Sequence, residues 1–238
     1  PLFEEALCAP VEVTGWVTPV RIAPLEPVSA ATPASAHPVQ PSANPQVAAC
    51  VNTICETLMA CESELNRLDA QVGDGDTGST FAAGARQIQR ECDDNQLPLN
   101  ALPELLAVTG ERLATVMGGS SGVLMAIFFT AAAQQLAEGD TLPVALQQGL
   151  EKMKEYGGAK PGDRTLIDAL QPAIEALVAG QSLEAAAEAA QQGSEATATM
   201  GTAKAGRSSY LNSTNLNGVP DPGAVAVARV FAALNKVK

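Results

Sequence analysis

Aromatic residues are scarce in this chain. They make up 3% of its 238 residues, whereas hydrophobic residues make up 46%. A core with so few large rings must be built mainly from Ala, Leu, Val and Ile, which favours closely packed helices with small contact residues. Histidine is scarcer still: the single His37 lies in a stretch rich in Pro, Ser and Ala. Acid–base catalysis by histidine is therefore not expected.

Basic residues are also few. Fourteen Lys and Arg stand against 26 Asp and Glu, which gives a net charge of −12. This balance argues against binding to nucleic acid, which requires a basic surface, and against docking on an anionic membrane. Apolar runs are broken by charged or polar residues before about 18 positions, so no transmembrane helix is expected. An acidic protein that binds a polyphosphate needs cations to do so.

Several common site motifs are missing from the sequence. The five cysteines are odd in number and show no C-x-x-C spacing, which argues against a disulfide framework or zinc site and favours a reducing cytoplasm. A Walker-type G-x-x-x-x-G-K-[ST] loop does not occur. An EF-hand also fails, because a calcium loop beginning at Asp74 would place Ala85 where a bidentate Glu is needed. With neither a secretory signal nor an initiator Met, the chain is expected to be part of something longer.

The sequence LDAQVGDGDTG places three carboxylates around a glycine turn. Asp69, Asp74 and Asp76 repel one another unless a cation is present, and no Lys or Arg lies between Arg67 and Arg86. A hard divalent cation with oxygen ligands would solve this. The helix that follows the turn offers free N–H groups to an anion. A metal-bound phosphate is the favoured interpretation, with an ordinary turn and helix cap as the alternative.

From residue 45 onward the hydrophobic pattern is helical and shows no sustained alternation of period two. The sequence predicts an all-α domain of about eight antiparallel helices. Asn44 and Ser182 are expected to cap two of them. The helix at 120–138 is apolar nearly all round, so it should lie centrally or line an interior cavity. The predicted helices are at about 45–67, 78–95, 99–117, 120–138, 141–156, 165–180, 182–199 and 222–236.

The residues before this domain differ in composition. Residues 1–24 predict a short helix and an extended piece, and residues 25–44 predict an extended linker rich in Pro, Ser and Ala. The helical domain is then 45–238.

Four loops between the predicted helices contain unusual groups of residues. They are GGSSG at 118–122, GGAKPGDRTLIDAL at 157–170, AGRSSYL at 205–211 and VPDPGA at 219–224. Each alone is ordinary loop or cap chemistry. In an up-and-down bundle, however, loops before alternate helices lie at one end. The helices that start near 78, 120, 165 and 222 are alternate helices of this series. Their starts should therefore surround one opening at the same end of the bundle.

These motifs, in this order and spacing, resemble the C-terminal nucleotide-binding domain of dihydroxyacetone kinases. The likeness covers residues 42–238 and is to the single-chain ATP-dependent type rather than the split phosphotransferase type. Residues 1–24 resemble the end of that enzyme's substrate-binding domain. The resemblance implies a closed barrel of eight antiparallel helices with the nucleotide at one end.

The resemblance also implies roles for particular residues. Asp69, Asp74 and Asp76 match aspartates that hold two Mg²⁺ ions against the phosphates of ATP or ADP. His37 does not match the histidine that binds the substrate in the other domain. The residues that match the nucleotide pocket are Thr77, Gly78, Ser79, Thr80, Ser120, Ser121, Gly162, Thr165, Leu166, Arg207, Asp221, Pro222 and Gly223.

The implied activity is transfer of the ATP γ-phosphoryl group to dihydroxyacetone or a related triose, which a separate domain of the same full-length chain would bind. Family precedent also implies a homodimer. Two alternatives remain open at this point. One is a regulatory module that holds ADP as a fixed cofactor, and the other is a relative of triokinase, whose vertebrate members also cleave FAD to cyclic FMN.

Overall fold

Helices form nearly all the regular structure in the part of the chain that the computed structural model describes, residues 40–210 and 216–237. There are nine α-helices in these ranges, and the prediction of an all-α domain is confirmed. The predictions for residues 1–39 lie outside the described residues. The helices are α1 (Pro45–Ala60), α2 (Glu62–Val72), α3 (Thr77–Asp93), α4 (Leu102–Val116), α5 (Gly119–Ala137), α6 (Leu142–Gly157), α7 (Ile167–Val178), α8 (Leu183–Thr197) and α9 (Pro222–Leu234), with a short 3₁₀ helix at Arg207–Tyr210.

Several helix starts are set by side chains that the sequence identified. Asn44 accepts hydrogen bonds from the N–H groups of Gln46 and Val47, and Pro45 occupies the first turn of α1. Ser182 accepts from the N–H of Ala185 at the start of α8. These bonds satisfy donors that a helix start otherwise leaves without partners. Both predicted caps are confirmed.

The predicted helix 45–67 is two helices in the structure. α1 ends at Ala60, Cys61 has φ −84° and ψ −4°, and α2 then continues to Val72. The sequence therefore places the end of this helical stretch five residues too early and does not reveal the break. The consequence for the site is that Asp69 lies on α2 rather than in a loop.

The helices close into a ring. From α3 to α9 each helix packs against the next along the chain, and α9 packs against α1, which in turn packs against α3. α2 contacts α3 and α9. With α1 and α2 counted as one broken element, the ring has the eight members of the expected antiparallel barrel.

The barrel encloses an apolar cavity of about 510 Å³ lined by side chains that include Ile54, Phe81, Leu105 and Phe231. Phe128 and Phe129 of α5 also line it and meet edge to face with ring centroids 5.1 Å apart. The prediction that this helix lines an interior cavity is therefore confirmed. By length and composition alone α5 is also apolar enough to cross a membrane. A helix that packs between α4 and α6 in a barrel can have the same length and apolar composition, so these two properties assign no membrane role to α5.

The last residues of the predicted linker are fixed to the barrel. Ser42 donates its N–H to the Leu97 carbonyl at 3.1 Å and accepts the Leu99 N–H at 3.3 Å. Its hydroxyl accepts the Asn100 N–H at 2.9 Å, and Asn100 donates to the Ala43 carbonyl. Residues 42–44 thus extend the helical unit and lie against the loop between α3 and α4.

α7 and α8 approach each other at a glycine. A Cβ added at Gly193 would lie 2.0 Å from the carbonyl oxygen of Asp168 and 3.0 Å from the Cα of Ala169. Both atoms belong to the backbone, so they cannot move aside without shifting α7. The two helices therefore meet at the start of α7, beside the loop that precedes it.

We expect Gly193→Ala to lower the free energy of unfolding by about 1–3 kcal/mol, since overpacking outweighs the gain in helix propensity. Urea unfolding followed by circular dichroism measures this. Gln192→Ala is the matched control, because Gln192 is exposed on the same helix. A Gly193→Ala protein as stable as the parent would contradict the close contact.

Candidate functional site

The aspartate turn is organised by one carboxylate oxygen. Oδ2 of Asp69 accepts the backbone N–H groups of Gly75, Asp76 and Thr77 at 3.0, 2.9 and 3.0 Å. Asp69 is buried near the end of α2, and it folds the following loop back onto itself. Three charge-assisted bonds to one oxygen make this a rigid turn.

The same turn brings three carboxylates together. One oxygen from each of Asp69, Asp74 and Asp76 lies within 4.8 Å of the others. Oxygens on opposite sides of a Mg²⁺ ion are separated by about 4.2 Å, so a small movement would suffice to bind one. A Cβ at Gly73 would lie 2.2 Å from Oδ1 of Asp69, so this close approach requires glycine. Asp74 and Asp76 are exposed and Asp69 is buried, an arrangement that fits an ion held at the surface.

The first turn of α3 is fixed against α2. Ser79 donates its N–H to Oδ1 of Asn66, and its hydroxyl accepts from Nδ2 of Asn66 and donates to Glu62. A Cβ at Gly78 would lie 2.1 Å from the Glu62 carbonyl oxygen. Ser79 and Gly78 therefore hold the start of α3 in place. Thr77 and Thr80 lie in the same turn, and Thr77 is tied to Asp69.

The starts of α3, α5, α7 and α9 lie at one end of the barrel. A Cβ at Gly84 of α3 would lie 3.2 Å from Cγ of Met117 at the end of α4, and one at Gly157 at the end of α6 would lie 3.0 Å from Cδ2 of Leu124 near the start of α5. The Asp221 N–H donates to Oγ1 of Thr197, which joins the start of α9 to the end of α8 at 2.8 Å. We call this end the mouth. Ser120 and Ser121 are exposed there in the first turn of α5.

The loop between α6 and α7 is held by Asp168. Its two oxygens accept the N–H groups of Gly162 at 2.5 Å and Thr165 at 2.8 Å. Oγ1 of Thr165 in turn accepts the Ile167 N–H at 3.2 Å. Gly162 has a φ of +89° that favours glycine. This loop thus has a defined shape at the mouth.

The start of α9 lies against the same loop. Oδ2 of Asp221 accepts the Ala224 N–H at 2.8 Å, which caps α9, and Pro222 occupies its first turn. A Cβ at Gly223 would lie 3.1 Å from Cβ of Leu166. The structure therefore brings the predicted residues Gly162, Thr165 and Leu166 together with Asp221, Pro222 and Gly223.

The segment that contains Arg207 reaches the aspartate turn through its neighbour. Ser208 donates its hydroxyl to the carbonyl of Val72 at 2.9 Å, one residue before Gly73. Arg207 begins the 3₁₀ helix Arg207–Tyr210, and its side chain lies outside the described atoms. Tyr210 and Tyr156 are exposed close to this end of the barrel. The backbone of residue 207 thus lies near the aspartate turn.

Several residues of the mouth were not identified from the sequence. Asp168 stands three positions after Thr165, which is a capping-box spacing and could have revealed it. Asn66 and Glu62 act through contacts between α2 and α3, and Ser208 through a contact with Val72 136 positions away, and the sequence offers no signal for them. Their role is to fix the position of the loops.

Asp221 has a perturbed titration. Burial raises the pKa of its carboxyl to about 6, against the opposing effects of the Ala224 N–H and the Arg164 guanidinium. The neutral acid is therefore favoured more in the folded protein than in the unfolded chain. This residue is among those that the sequence assigned to the nucleotide pocket.

Comparison with known proteins identifies similar sequences over nearly the whole chain. Residues 71–236 match the DAK2 domain. The chain is 53% identical to a dihydroxyacetone kinase of Citrobacter freundii over 98% of its own length and 42% of that protein. It is 41% identical to a triokinase/FMN cyclase of Mus musculus over 96% of its length and 40% of that protein. The chain thus spans about two fifths of the length of these relatives.

Two solved structures of a dihydroxyacetone kinase have a fold similar to that of this chain. The crystal structure of the native C. freundii dihydroxyacetone kinase matches with a TM-score of 0.79 and 49% identity, over 100% of this chain and 43% of that one. The structure of that enzyme in complex with AMP-PNP and Mg²⁺ matches with a TM-score of 0.77, over 99% and 42%. The shared fold includes the helices that carry the aspartate turn.

Asp221 gives a test by pH. Because its folded pKa is raised, its stabilising contribution is complete below the unfolded value of 3.8 and is lost as pH rises through 6. We expect Asp221→Asn, which retains a capping side chain, to gain stability relative to the parent as pH rises from 4 to 7. Urea unfolding of both proteins across this range measures the difference. A difference that is constant with pH, or that changes in the opposite direction, would contradict the raised pKa.

Proposed function

Because the chain belongs to the DAK2 domain family, we propose that it is the ATP- and Mg²⁺-binding part of a dihydroxyacetone kinase. In this proposal it delivers the γ-phosphoryl group of ATP to dihydroxyacetone or a related triose held by a separate domain. The observation on which the proposal mainly rests is the aspartate turn at the mouth. The similar C. freundii structure in complex with AMP-PNP and Mg²⁺ supports it.

Asp69, Asp74 and Asp76 are the residues that would hold Mg²⁺. Their oxygens are hard ligands, and one from each already lies within 4.8 Å of the others. When bound, the metal neutralises charge on the phosphate oxygens during transfer. We place two ions here, by analogy with the dihydroxyacetone kinases that the sequence resembles.

The chain's own residues would orient the nucleotide around this centre. The turn is rigid because Asp69 accepts three N–H groups, so Asp74 and Asp76 are presented at a fixed spacing. The first turns of α3 and α5 direct backbone N–H groups toward the mouth, where they suit phosphate oxygens. Thr77, Thr80, Ser120 and Ser121 add hydroxyl groups near these turns.

The loop before α7 and the start of α9 would border the rest of the nucleotide. Gly162, Thr165 and Leu166 contribute from one side, and Asp221, Pro222 and Gly223 from the other. Arg207 would add a planar guanidinium for the phosphate oxygens, in a chain that has few basic residues. The Ser208–Val72 bond supports this role, since it holds the segment at the aspartate turn.

We place the acceptor in another domain of the full-length protein. Phosphoryl transfer requires the acceptor oxygen in line with the γ-phosphorus and in near contact with it. The relatives are more than twice as long as this chain, which leaves room for such a domain. The free thiols of Cys50, Cys55, Cys61 and Cys92 agree with a reducing cytoplasm as the place of reaction.

A second candidate is cleavage of FAD to cyclic FMN, as in the triokinase relatives. The 41% identity to a triokinase/FMN cyclase over 96% of the chain favours testing it. The higher identity of 53% to a dihydroxyacetone kinase favours the kinase. Incubation of the full-length protein with FAD, followed by chromatography for cyclic FMN, distinguishes the two. Rapid exchange of bound ADP for ATP would in turn exclude a fixed-cofactor module.

The metal assignment predicts a selective loss of binding. Asp76→Ala should weaken Mg-ATP binding at least tenfold, or about 1.4 kcal/mol, because one carboxylate ligand is removed. The side chain makes no capping bond to α3 within the described part of the chain, so helix content should be unchanged. Calorimetric titration with ATP, with and without Mg²⁺, measures the effect. Asp140→Ala, in an exposed loop at the opposite end, is the control; equal affinities for the two variants would refute the metal site.

The proposed division between domains predicts partial function. The 238-residue chain alone should bind Mg-ATP yet give no phosphorylation of dihydroxyacetone, because nothing then positions the acceptor for in-line attack. Addition of the acceptor domain of a relative should restore some turnover, and Asp76→Ala should abolish that restored activity. A coupled assay for dihydroxyacetone phosphate measures both. Robust turnover by the chain alone would show that it contains its own acceptor site.

A further inference from the structure

Arg164 is the largest fully buried side chain described in the structure, with 1% of its surface exposed. It also has a φ of +62°, and among the described residues it shares a positive φ with just one other non-glycine residue, Asn95. A buried guanidinium is costly unless its charge and donors are satisfied, and a left-handed backbone adds to that cost. Such a residue requires an explanation beyond filling space.

The guanidinium joins two parts of the mouth. Its Nη2 donates to the carbonyl of Val219 at 2.6 Å, two residues before Asp221. Arg164 itself lies between Asp163 and Thr165, in the loop before α7. The bond therefore connects residues 55 positions apart and ties the loop 158–166 to the segment 216–221. The loop 158–166 contains three of the predicted nucleotide residues, Gly162, Thr165 and Leu166. The segment 216–221 leads into the other three, Asp221, Pro222 and Gly223.

Charges around Arg164 agree with a role at this junction. Burial lowers its pKa, and the Asp221 carboxylate opposes that effect. Nε and Nη1 have no hydrogen-bond partner in the described structure, although both atoms are buried. The group is therefore held by one strong bond and by its attraction to Asp221. An apolar side chain would fill the same space without either interaction.

The neighbouring residues connect this junction to the aspartate turn. The Asp163 carbonyl accepts the Lys204 N–H at 3.1 Å. Ala203, next along the chain, packs with Val72 and Leu216 in a small buried cluster. Val72 also accepts the Ser208 hydroxyl. The loop that Arg164 fixes is thus in continuous contact with the end of α2.

We propose that Arg164 is a positioning residue for the nucleotide: it fastens the loop 158–166 to the start of α9 and so sets the spacing between Thr165 and Asp221. This inference rests on the proposed function. It assigns to Arg164 a role through the residues on either side of the pocket rather than direct contact with the substrate. The role needs the positive charge and a donor that reaches the Val219 carbonyl.

The test uses three variants of the chain. Arg164→Met keeps a long side chain of similar bulk but removes the charge and the bond to Val219. Arg164→Lys keeps the charge with a single donor group. Arg112→Met is the control, because Arg112 makes a 2.7 Å ion pair with Glu91 between α4 and α3 and is not among the proposed nucleotide residues. Urea unfolding gives stability, and calorimetry gives Mg-ATP affinity.

Arg164→Met should weaken Mg-ATP binding at least tenfold, and Arg164→Lys should recover part of that loss. Arg112→Met should lose stability without changing affinity by more than twofold. Hydrogen exchange should show faster exchange at residues 219–224 in Arg164→Met and not in Arg112→Met. If Arg164→Met does not fold, Arg164→Lys decides: it should bind at least threefold more weakly than the parent at equal stability.

The inference would be overturned if a folded Arg164→Met protein bound Mg-ATP as tightly as the parent. If Arg164→Met does not fold, the same affinity in Arg164→Lys would overturn it. The proposed function would survive that result, because the parent would still bind Mg-ATP. Failure of the parent itself to bind Mg-ATP would refute the proposed function, and this inference with it.

Discussion

The aspartate turn depends on one oxygen. Oδ2 of Asp69 accepts three backbone N–H groups, and this determines where the loop after α2 goes and how α3 begins. Without that acceptor, three carboxylates would not be held within reach of one ion, because their mutual repulsion would open the turn. The buried carboxylate therefore serves two purposes: Oδ2 organises the backbone, and the group also belongs to the cluster of three aspartates.

The barrel supplies the second requirement, which is convergence of distant segments. Its helices meet through small residues, so the core can close with few aromatic side chains. Packing of α9 against α7 and α8 brings residues near 221 beside residues near 165, and the Ser208–Val72 bond adds a third segment. A site assembled in this way is no more rigid than the contacts between its loops. That is why Asn66, Asp168 and Arg164 matter as much as the residues that face the ligand.

The sequence predicts features that depend on near neighbours. The caps at Asn44 and Ser182, the approximate helix bounds and the single mouth all follow from local spacing and helix parity. The break at Cys61 does not, because it depends on how α1 and α2 pack rather than on a proline or glycine. The burial of Arg164 is also invisible, since an arginine in a Gly-rich loop usually faces solvent. The bond from Ser79 to Glu62 likewise arises between helices and leaves no signal in the sequence.

The contact of Gly193 with the Asp168 carbonyl also fixes a register. A slip of one helical turn would bring Ala189 or Thr197 to a place where no Cβ fits, so the contact selects one alignment of α7 and α8. Comparable contacts at Gly78 and Gly149 fix α2 against α3 and α5 against α6. These alignments are set by the helices themselves rather than by the length of the connections between them. The loops at the far end of the barrel, such as 138–141 and 179–182, are therefore free to lengthen or shorten without displacing the mouth.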